Sequence, residues 1–171
     1  MNTIETIRVR RSIRKFTQDE IEKEKINLLK EAALRSPSSR NRNPWKFWFV
    51  QENELIKKLA HCKTSGSQLL DGAKLAVVIG GDENISDVWI EDCSITAIFV
   101  QLVAQSLGLG TCWVQIRGRQ AQKGSAQDYV KNLLNIEKNM QIASIIAVGY
   151  PDEIRKPLEF GELQFEKIID L

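Results

Sequence analysis

Alternating strand and helix signals predict an α+β fold, an α/β sandwich in which a central mixed β-sheet is flanked by helices. Leu75–Ile79 is an unbroken apolar run of strand length, and Ile142–Val148 is apolar but for Ser144; each is closed by a glycine. Such runs suit central strands covered on both faces. Between them lies a long helical stretch, from Ser86 or Asp87 to about Leu107, that is apolar on most sides from Ile95 onward. A helix of that kind is a core helix or an oligomer contact. No internal repeat, low-complexity tract or second domain boundary is visible, so one domain is expected over residues 1–171.

Taken in order, Thr3–Val9 suits a short helix capped by Asn2 or Thr3, with Ile4 and Ile7 on one side. A basic cluster follows. Thr17 with Glu20 has the spacing of a capping box, and Phe16 with Ile21 that of a hydrophobic staple, so the next helix is expected from Thr17 to about Leu34. Its apolar face holds Ile26, Leu29 and Ala33. Ser36–Pro44 is rich in turn formers and leads straight into the β-rich run Phe47–Val50, which suggests a working loop hung on a rigid strand. Glu52–Ala60 reads as a short helix, and Gly108 as the stop of the long one. Thr111–Ile116 reads as a strand and Ala126–Leu134 as a modest helix. The tail, Asp152–Leu171, mixes charges with Phe165, Ile168 and Ile169 and is suited to add a strand to its own sheet or a partner's.

Composition narrows the chemistry. Hydrophobic residues make up 43% and charged residues 27%, as in a folded globular protein. Cys62, Cys93 and Cys112 are far apart and odd in number, a pattern of free thiols in a reducing compartment. One histidine, His61, with no motif around it, argues against a zinc site and against a histidine-activated nucleophile, and fits a surface or capping role. Ser94–Ile116 is 23 residues without a charge, but its glutamines and glycines point to a buried helix and strand rather than a membrane span. A cytoplasmic protein with no membrane partner is expected. No G-x-G-x-x-G follows a strand and no phosphate-loop motif occurs.

Five of the eight residues from Arg8 to Lys15 are cationic, while the net charge is only +2. Such a cluster calls for an anion. A solvated helix end would explain it, and so would nucleic acid, but 24 basic residues against 22 acidic ones argue against a nucleic-acid partner. Four segments in order raise a third reading: Arg10-Arg11-Ser12-Ile13-Arg14-Lys15-Phe16; Pro37-Ser38-Ser39 with Asn41, Asn43, Pro44 and Trp45; Asp92–Trp113 with Gly108-Leu109-Gly110-Thr111; and Gly149-Tyr150-Pro151. Together they resemble the FMN-dependent nitroreductase family from Ile4 to about Leu158.

The resemblance implies a nitroreductase-like fold and a homodimer with FMN sites at the subunit interface. It also implies NADH or NADPH as reductant and a small-molecule electron acceptor. Carried over residue by residue, Arg10 and Ser12 would hold the FMN phosphate, and Arg14 and Asn41 would meet the pyrimidine end of the ring. Pro37, Ser38 and Ser39 would line the site from the other subunit. The strand at Trp113 and Gln115 would offer backbone N–H near N5, and Arg155 or Lys156 would close on the phosphate. Arg11 joins this cofactor-binding set by position, although a structural or solvated role accounts for it and for Lys15. Where the family commonly has glutamine before the Pro-Trp pair, this chain has Asn43. No catalytic side chain is implied, since the flavin carries the redox step. The expected activity is ping-pong reduction of nitroaromatics, quinones or similar acceptors. The alternatives are dehydrogenation, reductive dehalogenation or enone reduction on the same scaffold, or a non-catalytic flavin-binding protein.

Overall fold

The computed structural model describes residues 2–171. Helices α1 (Thr3–Val9), α2 (Lys23–Leu34), α3 (Asn53–Leu59), α4 (Trp89–Ser106) and α5 (Ala126–Leu134) surround strands β1 (Trp45–Val50), β2 (Leu75–Asp82), β3 (Gly110–Gln115) and β4 (Met140–Gly149). The strand order is β1-β2-β4-β3, so β1 and β3 are the edges. All three strand pairs are antiparallel. The mixed character expected of the sheet reduces, among the described residues, to one parallel bridge between Ser12 and Thr111.

The period-two alternation of the central strands builds two cores. Leu75, Val77 and Ile79 of β2, with Ile146 and Val148 of β4, pack against Leu29 and Ala33 of α2 and Cys93, Ala97 and Val100 of α4. Ala76 and Val78, with Ile142, Ile145 and Ala147, pack against Ile56 and Leu59 of α3 and Val130 of α5. The long helix starts at Trp89, two residues later than Asp87, because Ser86 belongs to the turn after β2, donating its N–H to Asp82 O. Its outward side exposes Ile95, Ile98 and Phe99. Beside it α1 leaves Ile4 51% and Ile7 50% exposed.

Two expectations fail. The Thr17–Glu20 capping box does not form: α2 begins at Lys23, and its N-cap Glu22 makes no side-chain cap bond. Instead the Thr17 N–H donates to Tyr150 O at 2.9 Å, and Phe16 bridges to Pro151. A cap contributes about 1 kcal/mol, whereas burying a phenylalanine contributes about 2–3 kcal/mol, so the long-range pairing wins. Phe16 and Ile21 consequently enter different cores and form no staple. The tail adds no strand to its own sheet; it carries two short 3₁₀ turns and stays exposed from Lys156 onward except at Pro157.

Candidate functional site

The basic cluster is laid along the edge strand β3 and pinned at three points. α1 ends at Val9, and the Arg10 N–H closes its last turn onto Thr6 O at 3.0 Å. Beyond it the chain is extended, and the Ile13 N–H donates to Thr111 O at 2.9 Å. The Ile13 side chain covers Gly110, where an added Cβ would sit 2.8 Å from Ile13 Cβ. Phe16 covers Gly149 in the same way, at 2.9 Å from its Cδ1. The Asp152 N–H then reaches Lys15 O at 2.9 Å. Buried Ile13 and Phe16 thus act as two anchors that leave Arg14 and Lys15 facing out, with Arg10, Arg11 and Ser12 half-buried.

The segment after Pro151 folds back onto this cluster. Glu153 Oε1 accepts the Arg14 N–H at 2.5 Å, and Glu153 Oε2 accepts Arg155 Nε at 2.8 Å. The Arg14 N–H first, and the Arg155 bond and charge after it, hold the Glu153 carboxyl below its ordinary range. Arg11 donates to the Lys156 carbonyl, while the Lys156 ammonium pairs with Glu159 at 3.4 Å. So Arg155 and Lys156 do come to the cluster, but both side chains already have carboxylate partners, and Arg11 is engaged structurally. The side chains of Arg10, Ser12 and Arg14 make no hydrogen bond or ion pair among the described residues.

Cys112, behind this segment on β3, reports its surroundings. Burial pushes its thiol up, while Arg14, Lys63 and Arg10 oppose that rise. Lys63 is itself pushed down, by burial first and then by the charge of Arg119. Lys63 and Arg119 line a cavity of about 520 Å³ with Thr64, Trp113, Gln115 and Gln120. Trp113 Nε1 donates to Gln115 Oε1 at 3.0 Å and Gln115 Nε2 to Arg117 O at 2.8 Å, which fixes both side chains. The outer edge of β3 has no strand partner among the described residues beyond the Ser12 bridge, so it presents backbone donors to this space.

Lys63 and Arg119 were not among the residues expected from sequence. Lys63 stands three residues before Gly66 and Arg119 directly after Gly118, loop glycines with φ of 79° and 69°, and a cation near a loop glycine is too common a pattern to have marked them.

Pro37, Ser38, Ser39 and Asn41 lie elsewhere. Their loop runs from α2 to β1 and makes a 3₁₀ turn, Ser39–Asn41, with Arg40, Asn41 and Asn43 at φ near +50°. It rests on the first turn of α4, where the Ser39 N–H donates to Asp92 Oδ1 at 2.8 Å. Asn43 is tied inside the loop: Ser38 Oγ donates to Asn43 Oδ1 at 2.7 Å and accepts the Asn43 N–H at 2.9 Å. The basic cluster sits past the other end of α4, on the opposite sheet edge. The 18 residues of α4 span about 27 Å, and the two edges are three strand spacings, about 14 Å, apart. The two halves of the expected site therefore do not meet within one chain.

Comparison with known proteins shows the family. The model of the Nitroreductase family matches residues 7–65 and 58–150. A protein of Archaeoglobus fulgidus, provisionally named an NADH dehydrogenase/NAD(P)H nitroreductase, is 32% identical over 154 residues, covering 88% of this chain and 86% of the relative. A protein of the same name from Methanothermobacter thermautotrophicus is 32% identical over 156 residues, with 90% and 79% covered. Among solved structures, an FMN-dependent nitroreductase from Clostridium difficile R20291 superposes with a TM-score of 0.95 at 39% identity, over 98% of both chains. With its fold, its ordered motifs and the family match in agreement, the chain belongs to the nitroreductase family.

Proposed function

We propose that this protein is a homodimeric, FMN-dependent NAD(P)H oxidoreductase that reduces small aromatic acceptors, such as nitroaromatics or quinones, by two electrons in a ping-pong cycle. The observation that carries the reading is the row of uncommitted groups along β3. Arg10, Ser12 and Arg14 flank the segment that pairs with Thr111 on β3, the strand whose Trp113 and Gln115 line the cavity with Lys63, and among the described residues their side chains have no protein partner. The residues fit FMN. An arginine fork with a hydroxyl beside it suits the phosphate. Arg14 and Lys63, both close enough to Cys112 to act on its thiol, suit the pyrimidine end. When bound, FMN would supply the two-electron redox chemistry between NAD(P)H and the acceptor. Arg14, with Lys63 beside it, would favour the reduced state by offering positive charge where the reduced ring gains negative charge. The backbone of β3 at Trp113–Gln115 orients the ring edge, and the open cavity leaves one face for reductant and acceptor in turn.

The diagonal separation of Ser39 from Ser12 supports a dimer. Two chains paired along α4 in opposite directions bring the Pro37–Asn41 loop of one to the basic cluster of the other. Ile4, Ile7, Ile95, Ile98 and Phe99 provide an apolar face for that pairing. The tail, with Phe160, Ile168 and Ile169 exposed, has its partner on the second chain in the same arrangement. The test is anaerobic steady-state kinetics with NADH and NADPH against an acceptor panel. Parallel double-reciprocal lines are expected. Intersecting lines would contradict the ping-pong cycle, and FMN binding without turnover would leave a non-catalytic flavoprotein.

A further inference from the structure

We propose that Asp92 is the positioning residue of the Pro37–Asn43 loop, fixing from α4 the presentation of Ser38 and Asn41 to a flavin held by the opposing subunit. The part concerning the flavin rests on the function proposed above; the part concerning the loop stands on the geometry alone.

Asp92 is an anomaly in its surroundings. It is a carboxylate only 2% exposed, on the helix that supplies Cys93, Ala97 and Val100 to the core. No lysine or arginine pairs with it among the described residues. A buried carboxylate without a cation is costly unless its oxygens are met by donors. Here Oδ1 accepts the Ser39 N–H at 2.8 Å and Oδ2 accepts Ser86 Oγ at 3.2 Å. The first turn of α4 adds its own positive end. The charge is thus tolerated by an arrangement whose longest-range product is one bond, to a loop 53 residues away in sequence.

That bond does what the loop cannot do for itself. Ser38, at the N-cap of the Ser39–Asn41 turn, makes no cap bond, because its hydroxyl is committed to Asn43. Asp92 caps the turn in its place. One helical turn further along the same stripe, Thr96 Oγ1 meets Ser36 Oγ at 2.5 Å, so α4 grips both ends of Ser36–Ser39. Beyond this grip the backbone holds three non-glycine residues in the left-handed region, Arg40, Asn41 and Asn43, which persist only where the surroundings over-determine them. Among the described residues, the side-chain bond that reaches residues 40–43 from outside the loop is the exposed Arg42–Asp87 pair at 3.4 Å. Because α4 also carries Ile95, Ile98 and Phe99 on its open side, the loop and the proposed subunit contact share one rigid element.

The variants are Asp92→Ala and Asp92→Asn, read by amide hydrogen exchange on the cofactor-free protein and by FMN affinity and kinetics on the loaded one. In Asp92→Ala, exchange at residues 40–43 should rise about tenfold, the loss of one charge-assisted bond, with β2 and β4 unchanged. FMN dissociation constant and acceptor KM should rise by a similar factor, and kcat by less than about threefold either way. Asp92→Asn keeps an acceptor for Ser39 and a donor for Ser86 and should restore both readouts. If Asp92→Ala does not fold, Asp92→Leu fills a similar volume without offering Ser39 an acceptor, and should give the same loop exchange and the same FMN loss. Unchanged loop exchange, a rise spread evenly over β2 and β4, or failure of Asp92→Asn to restore would each overturn the proposal. A wild-type protein that binds no FMN, with loop exchange still governed by Asp92, would instead remove the flavin function and leave the positioning role.

Discussion

Gly110→Ala tests how the basic cluster is held. A Cβ at Gly110 would lie 2.8 Å from both Cβ and Cγ2 of Ile13, and 3.0 Å from Cγ1. These are branched, buried atoms, so relief requires residues 12–14 to move away from β3. The movement stretches the Ile13 N–H bond to Thr111 O, now 2.9 Å. Overpacking costs about 1–3 kcal/mol and the weakened hydrogen bond about 1 kcal/mol, so urea unfolding should show a loss of about 2–4 kcal/mol. FMN affinity should fall with it, because Arg10, Ser12 and Arg14 travel with Ile13. Gly108→Ala is the control. Nothing lies within 4 Å of its Cβ, but its φ of +78° strains any L side chain. It should lose about 1 kcal/mol and keep its FMN affinity. If Gly110→Ala unfolds like the wild type, or loses stability while binding FMN normally, the anchoring of the cluster by Ile13 is refuted.

Arg14→Ala should slow flavin reduction about tenfold or more while FMN affinity changes less, a split that stopped-flow reduction and a binding titration resolve. Glu153 carries a lowered folded pKa, so its contribution is full above the ordinary value of 4.5 and is lost as pH falls from there through the folded value. Acid titration of the wild type should therefore show stability falling in that window, and Glu153→Gln should flatten it; identical acid profiles would contradict the role. All three cysteines are buried, and burial pushes Cys93 up to about 12, with Asp92 adding to the rise. Thiol titration should find no rapid reaction in the native protein and three thiols after denaturation.

Much of the fold was legible because local signals and burial agreed. The helix Ala126–Leu134 appears with the expected bounds, since Ser125 accepts the Asp128 N–H as a local cap. Leu75–Ile79 is a strand because a run apolar on both faces has only a central place to go. Thr17 and Glu20 misled because a cap is read within four residues, whereas Phe16 finds its partners at Gly149 and Pro151. Sheet order and the pairing of Ser12 with Thr111 are likewise long-range and leave no periodic trace. At the site, the motif order marked Arg10, Ser12, Arg14, Trp113 and Gln115 as one group, and they do share the β3 edge. Lys63 and Arg119 went unread because loop cations carry no pattern of their own. Asp92 was hidden because it stands next to Glu91 in the first turn of α4, where acidic residues are ordinary, and only the fold buries one of the two.

The absorption spectrum of the purified protein, followed by FMN titration, tests the central claim most directly. The account predicts flavin bands, or their appearance on adding FMN, saturating at one FMN per chain with two chains per particle, and bleaching on anaerobic addition of NADH or NADPH. A colourless protein that neither takes up FMN nor oxidises either nucleotide would contradict it.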